Sequence, residues 1–222
     1  MPEPTPENWA AVDRYLADTL VGHDAALDAA LASQQAAHLA PIEVAPVAGK
    51  LLHLLVRISR ARRVLEIGTL AGYSAIWMAR ALPDGGSVVS IEAEPRNAAL
   101  ARSNAAAAGV ADRVEILVGR GADVLPSLDG REPFDLVFID ADKESNTIYL
   151  DWAARLGRPG AVVVVDNVGR SGRVVDDTTD DPQVQGVRAG LAMLGDDPRF
   201  DATAIQTVGV KGWDGLAIAV LV

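Results

Sequence analysis

Residues 64–74, VLEIGTLAGYS, place a short apolar strand directly before a glycine-containing turn and the start of a helix. The predicted strand covers Val64–Ile67, and the helix begins at Tyr73. A later run, over 161–165, is wholly apolar, which is typical of a strand that is buried on both faces of a parallel sheet. A strand, a turn and a helix in this order make the first βα unit of an α/β fold.

The rest of the chain repeats this alternation. Further strands are predicted over 87–91, 114–118, 134–139 and 161–165. They are separated by a helix over 95–108, a short helix that ends at 128, and a helix over 143–156. Five βα units in series predict a doubly wound sheet. After a helix near 183–194, two strands near 202–208 and 215–221 have a short connection and must be antiparallel. The predicted fold is a mostly parallel seven-stranded α/β sheet with an antiparallel C-terminal hairpin.

The first 60 residues have a helical pattern instead. Thr5 is the predicted N-cap of the first helix, with Pro6 at its first position. Its apolar residues follow helical spacing: Trp9, Val12, Leu16 and Leu20. A second helix is predicted over about 24–38, and a third carries the apolar stripe that begins at Val47. The chain is therefore predicted to be one domain, a helical extension over 1–60 and an α/β core over 61–222.

Composition excludes several classes of protein. The 222 residues are 50% hydrophobic and 23% charged and contain no cysteine, which excludes disulfide scaffolds, thiolate metal sites and cysteine nucleophiles. A formal charge of −10 repels nucleic acids and acidic membranes on average. No apolar run approaches the roughly 20 residues of a membrane span, and the N-terminus lacks the features of a secretory signal. The expected location is the cytoplasm.

The turn after the first strand predicts a ligand site. Glycines at 68 and 72 allow close approach of a ligand to the backbone, and the following helix offers free N–H groups to an anion. Leu70 stands where the dinucleotide fingerprint has its second glycine, which disfavours a pyrophosphate and therefore a dehydrogenase. A methionine carboxylate needs less room. The alternative is an ordinary βα turn that happens to contain glycine.

Glu92 ends the second strand, 20 residues after Gly72. An acid at this spacing can accept hydrogen bonds from ribose hydroxyls. Together with the incomplete dinucleotide fingerprint, it favours a nucleoside other than NAD. The alternative is a solvated acid at the end of a strand.

Three oxygen-bearing side chains follow two other strands. Asp140 ends the fourth strand, and Asp166 and Asn167 end the fifth. Because the carboxyl ends of parallel strands meet at one edge of the sheet, these side chains are expected to converge. Two carboxylates repel without a cation, and a hard divalent ion such as Mg²⁺ favours such oxygen ligands. The alternative is that each aspartate caps a helix.

Lys143 stands at the start of the next predicted helix, where its charge opposes the positive end of the helix dipole. A residue placed against local preference is a candidate for function. A nearby metal and a cationic cofactor favour the neutral amine, which suits a general base. The alternative is a surface lysine.

Together these motifs resemble the class I, S-adenosylmethionine-dependent O-methyltransferases of the catechol and caffeoyl-CoA type, in their small bacterial form. The resemblance covers nearly the whole chain: Gly49-Lys50-Leu51-Leu52, Glu66–Ser74, Glu92, Phe134–Lys143, Asp166-Asn167 and Gln206–Gly215. At Ala141-Asp142, beside the expected adenine, the chain departs from catechol O-methyltransferase, which has bulkier residues there.

The resemblance implies a set of functional residues. Those that bind S-adenosylmethionine, or its product S-adenosylhomocysteine, are Val44, Glu66, Gly68, Thr69, Ser74, Glu92, Ala122 and Asp140. The implied ligands of Mg²⁺ or a similar cation are Asp140, Asp166 and Asn167, and the implied catalytic residues are Lys143 and Asp140. The resemblance also implies a homodimer, with the N-terminal helices as the candidate interface.

The resulting hypothesis is methyl transfer to a small catechol-like phenol. Two adjacent oxygens chelate the metal, Lys143 takes a proton, and the phenolate attacks the sulfonium methyl in line. Two alternatives stay open beside the dehydrogenase. One is methylation of a hydroxylated tRNA nucleoside, which a basic strip near Arg170, Arg173 and Arg188 would favour and the charge of −10 opposes. The other is a non-catalytic nucleoside-binding protein.

Overall fold

A computed structural model describes residues 5–222. Its α-helices are α1 (Pro6–Leu16), α2 (Ala25–Ala36), α3 (Pro46–Ile58), α4 (Tyr73–Ala81), α5 (Pro95–Ala107), α6 (Gly121–Val124), α7 (Asn146–Leu156) and α8 (Pro182–Asp196). Its strands are β1 (Arg63–Ile67), β2 (Ser87–Glu92), β3 (Val114–Val118), β4 (Phe134–Ile139), β5 (Gly157–Asp166), β6 (Phe200–Gly209) and β7 (Gly212–Leu221). A π-helical turn, Ala17–Val21, follows α1, and 3₁₀ turns cover Ala111–Arg113, Leu125–Leu128, Lys143–Ser145 and Arg170–Val175.

The strands form one sheet in the order β3-β2-β1-β4-β5-β7-β6. Strands β1 to β5 are parallel, whereas β7 is antiparallel to both β5 and β6. The predicted fold class is therefore confirmed. Because the order reverses beside β1, crossovers run to both sides of it and helices cover both faces, as in other doubly wound sheets.

The core lies on both faces of the sheet, as alternation along a strand requires. Leu65 and Ile67 of β1 belong to one cluster with Tyr149 of α7, while Val64 belongs to the opposite cluster with Ile76 of α4. All five side chains are at most 1% exposed. The central strand β1 is thus held from both sides, which gives the turn after it a rigid base.

Two differences between the predicted and the observed element boundaries lie close to the site. Strand β5 begins at Gly157, four residues before the predicted start, because Gly157 pairs with Phe134 ahead of a bulge in the register. The predicted helix over 143–156 begins as a 3₁₀ turn, and α-helical geometry starts at Asn146. Lys143 therefore stands on a tight turn that leaves the sheet edge.

The first helix begins as predicted, since the Thr5 hydroxyl accepts a hydrogen bond from the N–H of Asn8. Its apolar stripe is not buried: Val12 is 56% exposed and Leu20 is 67% exposed. The helix is fixed instead by Asp13, whose carboxylate accepts the N–H of Val210 at 2.9 Å. Of the helices within 5–222, none combines the length and apolar character that crossing a bilayer requires.

Candidate active site

A cavity of about 960 Å³ opens at the edge of the sheet where the parallel strands end. It is bounded by the turn after β1, the ends of β2 and β4, and the loops after β3 and β5. Of the predicted site residues, those that line it are Val44, Gly68, Thr69, Ser74, Glu92, Asp140, Lys143 and Asn167. Glu66, Ala122 and Asp166 are not among the lining residues.

The turn after β1 has a backbone that suits close contact with a ligand. Gly68 has φ +101°, and a Cβ there would meet the carbonyl oxygen of Asp140 at 2.3 Å. Leu70 has φ +52° and Gly72 has φ +85°. Leu70 thus occupies the left-handed region, which costs a non-glycine residue about 1–2 kcal/mol. No side chain caps α4 at Gly72, so the N–H groups of its first turn stay available to an anion.

Glu66 lies directly beneath this turn and is fully buried. Its carboxyl accepts hydrogen bonds from the hydroxyls of Ser74, at 2.5 Å, and Ser90. Burial raises the pKa of Glu66 to about 8, and repulsion from Asp140 and Glu92 acts in the same direction. Ser74 lines the cavity and Glu66 does not, so the Ser74 hydroxyl lies between the Glu66 carboxyl and the cavity.

Glu92 is not a solvated acid, because its carboxylate fastens the turn to the end of β2. One oxygen accepts the N–H groups of Thr69 at 3.2 Å and Leu70 at 2.7 Å. The other accepts the N–H of Glu94 at 3.0 Å and the side-chain amide of Asn97 at 3.3 Å. A ribose hydroxyl has to share or replace one of these donors, so ribose binding by Glu92 stays a prediction.

Lys143 is buried rather than on the surface, being 5% exposed. Its Nζ donates to Oδ1 of Asp140 at 2.9 Å. The Asp140 N–H in turn continues the sheet by donating to the carbonyl of Ile67 at 2.8 Å. The arrangement places an amine with one fixed partner at the cavity wall, beside the glycine turn.

Asp140 and Asp166 follow paired residues of neighbouring strands, since Ile139 is opposite Val165. Burial raises the pKa of Asp166 to about 7, and repulsion from Asp140 adds to it, so the two carboxylates affect each other. The Asp166 carboxylate also accepts the N–H of Asn167 at 2.7 Å. Within 5–222 no three His, Cys, Asp or Glu side chains come together as a metal site. The predicted set contains only two residues of these types and an amide.

Beyond Asn167, the sequence analysis did not place the loop after β5 in the site. Arg170 lines the cavity, and so does Gln183 at the start of α8. The loop is held by Asp214, whose Oδ1 accepts the N–H groups of Gly169 at 2.8 Å and Arg170 at 3.0 Å. No local pattern marks this loop as part of the site, because its support comes from β7, more than 40 residues later in the chain.

Comparison with known proteins agrees with this geometry. The family model described as "O-methyltransferase" matches residues 23–219. A curated catechol O-methyltransferase of Mycobacterium tuberculosis is 55% identical over 210 residues, covering 95% of this chain and 94% of the relative. A catechol O-methyltransferase of Niastella koreensis is 48% identical over 215 residues, covering 96% and 97%.

Solved structures agree as well. An O-methyltransferase from Bacillus cereus, solved with S-adenosylhomocysteine, has a TM-score of 0.96 at 48% identity and covers 98% of this chain and 100% of its own. An O-methyltransferase from Streptomyces achromogenes, solved with S-adenosylmethionine, has a TM-score of 0.95 at 50% identity, with coverage of 100% and 99%. These matches favour methyl transfer over the dehydrogenase and non-catalytic alternatives. The chain therefore belongs to the O-methyltransferase family of class I, S-adenosylmethionine-dependent enzymes.

Proposed function

We propose that this enzyme methylates one of two adjacent hydroxyls of a small catechol-like phenol, with the aid of Mg²⁺ or a similar divalent cation. The observation that carries the proposal is the hydrogen-bonded pair of the buried Lys143 and the partly buried Asp140, with Asn167 in the same cavity wall. It provides a base and oxygen ligands at one rim. Two relatives at 48–55% identity are named catechol O-methyltransferase, which supports this acceptor class.

The proposed cofactor site is the part of the cavity beside β1 to β3. Gly68, Thr69 and Ser74, at the uncapped start of α4, suit the methionine part, because free N–H groups favour a carboxylate. Glu92 is proposed to bind the ribose and Ala122 to contact the adenine. When bound, S-adenosylmethionine supplies a methyl group on positively charged sulfur. The remaining proposed contacts are Val44, Glu66 and Asp140.

Val44 also links the N-terminal extension to the site. It precedes α3, is 8% exposed and lines the cavity together with core residues. A cavity wall drawn from both parts of the chain supports the proposal that extension and core form one methyltransferase domain.

The oxygen donors at the other end of the cavity fit a divalent cation. Asp140 supplies a carboxylate and Asn167 an amide oxygen at the cavity wall. Asp166 supplies a second carboxylate behind them, and burial, with repulsion from Asp140 as a smaller cause, raises its pKa to about 7. Hard cations such as Mg²⁺ favour this donor set. When bound, such a cation would lower the pKa of an acceptor hydroxyl and fix its direction.

Lys143 is proposed to remove the proton from the acceptor hydroxyl. Its hydrogen bond to Asp140 holds Nζ at the cavity wall, and its burial limits competition from water. The charge on the acceptor oxygen and the charge on sulfur are neutralised as the methyl group moves. Correct placement of the two reactants therefore contributes more than stabilisation of new charge.

The test is transfer of labelled methyl groups to a panel of vicinal diphenols, with metal-free protein and with added Mg²⁺. Transfer is expected to require the metal and to be lost in Asp140→Ala and Asn167→Ala. Glu132→Gln serves as the control, since its side chain is 83% exposed, before β4. Unchanged transfer in excess chelator would contradict the metal role. Failure with every diphenol would contradict the acceptor class.

The surface of the loop after β5 gives little support to an RNA acceptor. Of the three arginines in the proposed basic strip, Arg173 pairs with Asp181 at 2.6 Å, and Arg188 donates to the carbonyl of Asp176 at 3.1 Å. The charge of Arg173 is thus paired with a carboxylate, and the Arg188 side chain is held against the loop by a backbone carbonyl. A small-molecule acceptor is the better proposal.

We also propose that the enzyme forms a homodimer through the exposed face of α1 and the π-helical turn that follows it. Val12 and Leu20 leave an apolar stripe in water, and the neighbouring edge strand β6 is exposed along most of its length. Apolar surface of this kind is typical of an interface. Sedimentation of Leu20→Asp should give monomers, and a wild type that sediments as a monomer would contradict the proposal.

A further inference from the structure

We propose that Arg170 binds an anionic substituent of the acceptor, so that this enzyme prefers catechols that carry a carboxylate. The inference rests on the proposed function and adds the chemical class of its substrate.

Arg170 lies at the acceptor end of the cavity. It follows β5, with Asn167 and Gln183 as neighbouring lining residues. In the sheet order, β5 is two strands from β1 and four from β3, or roughly 10 Å and 19 Å at the usual strand spacing. A group at Arg170 is therefore placed to meet the acceptor rather than the nucleoside.

The charge of Arg170 is not used within the described part of the chain. Its Nη2 donates to the neutral amide oxygen of Gln183 at 2.6 Å, and its buried Nε has no hydrogen-bond partner among residues 5–222. The nearby Arg173, by contrast, forms an ion pair with Asp181. A guanidinium has five N–H donors and keeps its positive charge. When it lies at a cavity wall and no carboxylate of the protein pairs with it, it can bind an anionic group of a ligand.

The loop holds Arg170 in a strained and rigid conformation. Asn167, Arg170 and Ser171 have φ of +60°, +51° and +55°. Such conformations persist only where surrounding contacts enforce them, and they are common at ligand clamps. Here the Asp214 carboxylate enforces them through the N–H groups of Gly169 and Arg170. The arginine is thus preorganised before an acceptor arrives.

The planar guanidinium fork matches a carboxylate, with which it can form two parallel hydrogen bonds. Among the charged groups near Arg170, Lys143 is paired with Asp140, Glu144 also lines the cavity, and the carboxylate of Asp214 is occupied by the N–H groups of Gly169 and Arg170. Glu144 repels an anion. A carboxylate is therefore directed to the side of Arg170 and Gln183, while the two hydroxyls of the acceptor stay at Asp140.

The experiment compares kcat/KM for 3,4-dihydroxybenzoate and for its neutral methyl ester. Arg170→Met removes the charge and the hydrogen-bond donors and keeps an unbranched apolar stem. It is expected to lower kcat/KM for the acid at least tenfold, mainly through KM, and for the ester less than threefold. Arg170→Lys should restore part of the loss. Arg188→Met is the matched control, because Arg188 is not a lining residue and its loss should leave both acceptors unchanged.

Calorimetric binding of 3,4-dihydroxybenzoate gives a readout that does not depend on turnover. Wild type should bind it at least tenfold more tightly than Arg170→Met does, with unchanged thermal melting of the two proteins. Equal losses for acid and ester, or no loss of binding for the acid, would overturn the role of Arg170. Turnover of neither acceptor by the wild type, with binding of the acid still dependent on Arg170, would instead overturn the proposed function.

Discussion

Replacing the buried Glu66 by Gln is expected to make the protein less sensitive to pH. The carboxyl of Glu66 has an ordinary pKa of 4.5, and burial raises it to about 8 in the folded protein. The folded chain therefore keeps a proton that the unfolded chain releases. Below pH 4.5 the carboxyl is protonated in both states, and its burial does not lower the free energy of unfolding. The free energy of unfolding falls as the pH rises from 4.5, and it stops falling once the pH has passed about 8.

The size of the effect follows from the shift. At 1.36 kcal/mol for each pKa unit, the free energy of unfolding falls by about 5 kcal/mol across this interval. Gln is isosteric with the protonated acid, and the hydroxyls of Ser74 and Ser90 can turn to meet either its oxygen or its amide. Glu66→Gln should thus retain the low-pH stability and lose this part of the pH dependence.

The assay is urea unfolding followed by circular dichroism at pH 5, 6, 7, 8 and 9, at constant ionic strength, without cofactor. Subtracting the Glu66→Gln curve from the wild-type curve cancels the contributions of the other acids. Glu132→Gln, in which the same change is made on an exposed side chain, should follow the wild type. Parallel curves for wild type and Glu66→Gln would show that burial does not raise the pKa of Glu66 in the folded protein.

Two further changes test the geometry of the site. Gly68→Ala should lower the free energy of unfolding by about 2 kcal/mol or more, because φ is +101° and the added Cβ meets a backbone carbonyl at 2.3 Å. Gly72→Ala, with φ +85° and its nearest atom at 3.2 Å, should lower the free energy of unfolding by less. The reverse order in urea unfolding would argue against the close approach of β1 and β4. Lys143→Met should reduce kcat by about 10²–10⁴-fold, as expected for loss of a general base, while calorimetry shows S-adenosylmethionine binding within a few-fold of the wild type; a kcat within tenfold would exclude Lys143 as the base.

Much of the architecture could be predicted from local sequence. The period of the apolar residues distinguishes strands from helices, and Thr5 with Pro6 marks the start of α1 through bonds within one turn. The glycine turn and the acids at the strand ends could be found in the same way, because parallel topology brings every strand end to one edge. Lys143 was identifiable only as a charge in an unfavourable place.

Tertiary structure decided what depends on contacts between distant segments. The insertion of β7 between β5 and β6 brings Asp214 to Gly169, 45 residues away, and so shapes the loop that carries Arg170. Glu92 is engaged by the backbone of a turn 22 and 23 residues earlier in the chain. Chain-local patterns reflect the conformations that a segment prefers by itself, whereas a side chain's partner depends on which strands are neighbours. Local sequence was thus enough for the fold class and for a set of candidate site residues, whereas the packing of the sheet decided which of those candidates line the cavity.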